Sequence, residues 1–177
     1  MFEAYTKIAL AVDTCNGRVD GRKKLQKMIY IAKALGYPLR EDFTLYWYGP
    51  HSHELTAELR RMDELNILSE DKPDFSYVFE LTENGKTFLT YCETDIVEEM
   101  GSETLNKMVE LFRDLSHFNP SELEILATLF YFYEIEHRDF DLLKDVVKQM
   151  KPKFNHQKIS TMAKKMQLFI EKYSVNQ

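Results

Sequence analysis

The stretch from Ile67 to Thr90 constrains the fold more than any other part of the chain, because it sets a pair of strands among helical segments. Ile67 and Leu68 open a strand, and Asp71-Lys72-Pro73-Asp74 is a turn-rich break. SYVFELT, Ser76 to Thr82, is strongly β-prone and leads into ENGKTFLTYC, which predicts a short helix. Upstream, Tyr5, Ile8, Ala9 and Val12 recur at helical intervals, and Asn16-Gly17 supplies a stop. Asp20 is a good N-cap for a second helix that Gly36 ends, with Leu25, Met28, Ile29, Ala32 and Leu35 on its buried face. Phe43 to Pro50 reads as one short strand stopped by Gly49-Pro50, and Ser52 caps a third helix through Leu55, Leu59, Met62 and Leu65.

The order helix, helix, strand, helix, hairpin is that of a winged helix-turn-helix domain. ELRRMDELNILSED, Glu58 to Asp71, resembles the third helix and first wing strand of such domains, and FELTENGKTFL, Phe79 to Leu89, the second wing strand and exit helix. Beyond them, Glu93, Asp95, Glu98 and Glu99 read as an acidic connector. The rest is helical, with starts at Ser102, Asn119-Pro120-Ser121-Glu122, Asp139 and Asn155. The helix from Asn119 to Glu136 is apolar over a wide arc, which places it centrally or at an interface such as a homodimer. The expected fold is mainly α with a small β-hairpin: a winged helix-turn-helix-like domain over residues 1–92 packed on a C-terminal helical bundle over 93–177.

Two segments carry a family resemblance. GRKKLQKMIYIAKALG, Gly21 to Gly36, with YWYGPHSHEL, Tyr46 to Leu55, resembles the bacterial YwgA-like family, where an R-x-x-LQK-x-x-Y helix precedes a YGP-x-S-x-x-L turn. The same landmarks recur more loosely in the Panacea, or SocA-like, antitoxin domain, and SELEILATLFYFY with Lys151-Pro152-Lys153-Phe154 resembles the tail of these families. The resemblance implies a winged-helix-like fold without catalytic residues, and for the Panacea domain an antitoxin or proteolytic-adaptor role.

Composition narrows the function. A net charge of −6 and pI of about 5.4 disfavour a protein that coats nucleic acid. No apolar run approaches a membrane span, and the charged start MFEAYTKIALAVD is unlike a signal peptide, so the expected location is the cytoplasm. Cys15 and Cys92 have no metal-ligand spacing and no positioned base. No phosphate loop, G-x-S-x-G elbow or H-E-x-x-H is present, and the expectation is no enzyme, no cofactor and no metal.

The best surface candidate is the start of the second helix. Arg22, Lys23 and Lys27 share a face with Gln26 and Tyr30, and with Lys24 they crowd cations against the positive end of the helix dipole. Arg22, Lys23, Lys27 and Tyr30 are therefore the expected partner-binding residues, for an acidic or other protein surface. The alternative is a dimeric DNA-binding regulator that uses Arg60 and Arg61 of the third helix, against which stand Glu54, Glu58 and an acidic wing. Tyr46 to Pro50 reads as a structural turn whose alternate aromatics enter the core, and His51 with His53 is weak evidence for a metal. Of the lysines from Lys148 to Lys165, Lys148 and Lys151 read as charges complementing a helix C-terminus and the rest as a solvated face, the alternative being one groove shared with the second helix.

Overall fold

The computed structural model describes residues 2–72, 77–135 and 139–175. It is mainly helical with small antiparallel sheets. In chain order the elements are α1 (Phe2–Thr14), β1 (Arg18–Asp20), α2 (Arg22–Ala34), β2 (Thr44–Tyr46), β3 (Gly49–His51) and α3 (His53–Glu64). There follow β4 (Leu68–Asp71), β5 (Val78–Leu81), α4 (Glu83–Met100), α5 (Ser102–Ser116), α6 (Pro120–Ile135), α7 (Phe140–Met150) and α8 (His156–Tyr173).

The strands of the expected hairpin, β4 and β5, pair antiparallel with Leu68 opposite Leu81 and Asp71 opposite Val78. A third strand not read from the sequence, β1, lies on the far side of β5 and gives the order β1-β5-β4. Its three residues alternate exposed, buried, exposed, which is too short a pattern to announce a strand. Asp20 therefore pairs with Val78 instead of capping a helix, and Gly21, at φ +100, is the N-cap of α2 with no side-chain bond. Part of the expected wing turn, Pro73 to Ser76, lies outside the described residues.

Residues 43–50 form a hairpin, not a single strand. Gly49 at φ +88 reverses the chain and opens β3, which pairs Leu45 with Pro50 and Thr44 with His51. The acidic stretch Glu93 to Glu99 is likewise helix and not connector. No Gly or Pro interrupts the chain between Gly85 and Gly101, so α4 runs unbroken across the expected boundary at residue 92 until Gly101 turns it at φ +79.

The core is built around α6. Leu123, Ile125, Leu126, Ala127, Leu129 and Phe130 are all buried, covered by α2, α7, α8 and β3. The wide apolar arc of this helix is thus used inside the chain. Its start follows the sequence signal: Asn119 Oδ1 accepts from the Ser121 and Glu122 amides, and Glu122 accepts from the Asn119 amide at 2.9 Å.

Candidate functional site

Among the described residues, the turn of the β2–β3 hairpin carries the largest exposed aromatic group. Trp47 is 86% exposed, Tyr48 52% and Tyr46 46%. The expectation that alternate aromatics here enter the core is incorrect. A tight two-residue turn holds Trp47 and Tyr48 off the sheet, and only Gly49 and Pro50 go inside.

What goes inside is gripped from three directions. From α2, the Lys27 ammonium donates to the Pro50 carbonyl at 2.6 Å. Gln26 pairs with Ser52 in both directions, its amide donating to the Ser52 carbonyl and its carbonyl accepting from the Ser52 N–H, each at 2.8 Å. From α6, Thr128 and the Glu124 backbone close over Gly49 so tightly that a Cβ there would stand 3.2 Å from Thr128 Oγ1 and 3.3 Å from Lys27 Cε. From the end of α7, Lys151 donates to the Trp47 carbonyl and pairs with Glu124 at 3.1 Å. Lys27 and Lys151 are buried, and burial lowers both amines below the usual lysine range, Lys27 to about 8. Glu124, itself buried, opposes the shift in each.

The four expected partner-binding residues therefore differ in fate. Lys27 is a buried clamp, and Tyr30 is buried with its hydroxyl donating to Glu134 at 2.9 Å. Arg22 grips Glu70 with two guanidinium nitrogens and so ties α2 to β4. Lys23 is exposed, its ammonium 3.6 Å from the centre of the Tyr48 ring. The crowding of cations at the start of α2 has a structural cause: Arg22 meets a carboxylate, while Lys24 reaches the Ser116 carbonyl at the negative end of α5. Periodicity placed these residues on one face correctly but could not say what covers it.

Arg60 and Arg61 are exposed on α3 and make no ion pair among the described residues. Glu54, also exposed, accepts from the Asp42 backbone N–H at 2.9 Å. His51 and His53 stack edge-on at 5.1 Å, with the Tyr46 hydroxyl 3.1 Å from His53 Nε2. Among the described residues no three metal-ligating side chains converge. Burial pushes the Cys15 thiol up to about 11, which makes it a poor nucleophile at neutral pH. No helix of the described residues is long and apolar enough to cross a membrane. Lys151, by sequence a charge complementing the dipole at the end of a helix, is instead buried, and nothing in a Lys-Pro at a helix end indicates its contact with Trp47.

No family model matches the chain. It is 34% identical over 141 residues to the uncharacterised protein YwgA of Bacillus subtilis (strain 168), an alignment covering 77% of this chain and 78% of that protein. The chain belongs to the YwgA family. The segments that resembled YwgA in sequence are the two halves of the clamp. Gln26 and Lys27 on one side grip Pro50 and Ser52 on the other. In this YwgA-family chain these motif residues thus hold the hairpin turn against α2.

A second site of interest is the half-buried Glu58 carboxyl on α3. Its neighbour Glu41 is 2% exposed with no donor on either carboxylate oxygen. Burial first, and Glu41 second, raise the Glu58 carboxyl to about 7 from an ordinary 4.5. A carboxyl raised on folding binds its proton more tightly in the folded state. Its stabilising contribution is therefore full below about 4.5 and is lost as pH rises through about 7. Glu58→Gln is expected to flatten this dependence and to gain about 1 kcal/mol at pH 8 after solvent screening. Urea unfolding at pH 5 and pH 8 checks it, and an equally steep dependence in the variant overturns the assignment.

Proposed function

We propose that this chain is a non-catalytic protein-binding module of winged-helix build, with its contact surface centred on Tyr46, Trp47 and Tyr48. Support for the winged-helix reading is the order α1-β1-α2-α3-β4-β5 with its β1-β5-β4 sheet, the β2–β3 hairpin being an insertion between the second and third helices. The C-terminal helices pack on it as a bundle. The observation that carries the binding reading is the exposed aromatic turn on an immobilised support. Trp and Tyr are the residue types that dominate protein interfaces, and a rigid platform reduces the entropy lost on binding. Leaving Trp47 in water has no structural use that the contacts reveal. An antitoxin or adaptor role of the Panacea kind is one form such binding could take.

The test is a photo-crosslinking residue in place of Trp47, expressed in the host cell. A covalent adduct with one discrete protein is expected, absent when the crosslinker replaces Lys107 on α5, whose side chain is 44% exposed. No adduct, or an adduct only with nucleic acid, overturns the reading.

The exposed, unpaired Arg60 and Arg61 favour one second reading, a DNA-binding regulator reading duplex through α3. Duplex affinity that falls with salt and is lost on Arg60→Glu with Arg61→Glu would establish it in place of the first.

A further inference from the structure

The hairpin tip joins two groups of lysines that are far apart in sequence. The Tyr48 ring lies near Lys23 Nζ at 3.6 Å and Lys153 Nζ at 5.2 Å. The Phe154 ring in turn lies near Lys153 at 4.8 Å and Lys158 at 5.6 Å. Lys23, Lys153 and Lys158 thus form one stripe threaded on two aromatic rings, from the start of α2 across the tip to the start of α8. The solvated face expected for the C-terminal lysines is, in this part, continuous with α2. Lys153 shares Glu124 with Lys151, whereas Lys23 and Lys158 make no ion pair among the described residues. Beside the stripe lies a groove of about 300 Å³ lined by Tyr46, Tyr48, His51, His53, Arg22 and Lys23, and no carboxylate is among its lining residues. This is a locally positive, aromatic surface on a chain of net charge −6.

We propose that the groove and stripe receive an extended acidic segment of a partner polypeptide. One apolar side chain enters beside Tyr46 and Tyr48, and flanking carboxylates reach Lys23 and Lys158. The inference rests on the protein-binding reading and gives that partner its chemistry. Two observations favour a peptide over a nucleic acid strand. Tyr48 already carries Lys23 against its ring, so it is no open platform for a base. A long polyanion would also meet the acidic remainder of the chain beyond the patch, whereas a short acidic segment meets only the stripe.

The test is selection of random dodecapeptides on a display library against the full chain, followed by titration of the enriched peptides. Trp47 is the only tryptophan, so its fluorescence reports on the tip directly, and labelled-peptide polarisation serves the variants. The expected peptides carry Asp or Glu on both sides of an aromatic or aliphatic residue and shift the Trp47 emission. Their affinity falls at least about tenfold with Lys23→Glu plus Lys158→Glu, and falls as salt rises. Both lysines lie at the surface, and an unchanged circular dichroism spectrum confirms that the variant is folded. Acidic peptides indifferent to the charge reversals, or neutral or basic peptides lost with Trp47→Ala, overturn the acidic segment; the latter leave protein binding standing. No enriched peptide, or Trp47 emission that responds to oligo-dT alone, overturns both.

Discussion

Gly85→Ala is expected to destabilise the protein by about 3 kcal/mol, although alanine is the better helix former by about 1 kcal/mol. Gly85 lies in the first turn of α4, where its N–H donates to the capping Thr82 hydroxyl at 2.9 Å. The Ile67 carbonyl, which accepts the Thr82 N–H at 3.2 Å, sits against its Cα. A Cβ would fall inside the van der Waals boundary of that carbonyl oxygen and stand 2.6 Å from Leu81 Cδ1. Backbone cannot step aside as a flexible side chain can, so β4, β5 and α4 would have to part. Because propensity and packing predict opposite signs, the sign of the change in urea midpoint decides between them. Exposed Asn84→Ala in the same turn is the control, expected to stay within about 0.5 kcal/mol.

Phe130→Ala should cost about 4 kcal/mol, the sum of lost burial and an unfilled cavity. Phe130 is 1% exposed on α6, which packs along α2 as well as α7 and α8. The loss should therefore propagate across the whole chain. Urea unfolding followed by Trp47 fluorescence and by far-ultraviolet circular dichroism should give coincident transitions in both wild type and variant. Two separated transitions would mean that the hairpin and the helical bundle unfold as independent units. Phe130→Leu, which preserves most of the volume, should recover more than half of the loss.

The parts of the fold legible in the sequence are those with strong local signals. The caps at Ser52, Asn119 and Asp139 form as expected, whereas Ser102, also a cap by sequence, is the first residue of α5 behind the N-cap Gly101, which has no side chain to offer. The buried face of α2 follows from its period, and Leu25, Met28, Ile29, Ala32 and Leu35 are all inside. What the pattern could not supply was tertiary context. Lys27 and Lys151 are charged, so a sequence reading puts them in water. Their ammonium groups end on carbonyls of a distant turn because the aliphatic stems cross the apolar layer below it. Trp47 shows the converse error, since an aromatic residue in a β-prone run reads as core. Only the hairpin turn, set by Gly49, shows that it has no core to enter.

The grip on Pro50 and Trp47 has an evolutionary consequence. Lys27 and Lys151 fasten the turn through the backbone carbonyls of Pro50 and Trp47, so neither contact depends on the Trp47 side chain. Substitution at Trp47 leaves both contacts in place, while the residues under the turn are constrained by packing. Such an arrangement separates what must be inherited from what is free to drift. The exposed surface of the tip can thereby change through the Trp47 side chain, on a scaffold that does not change.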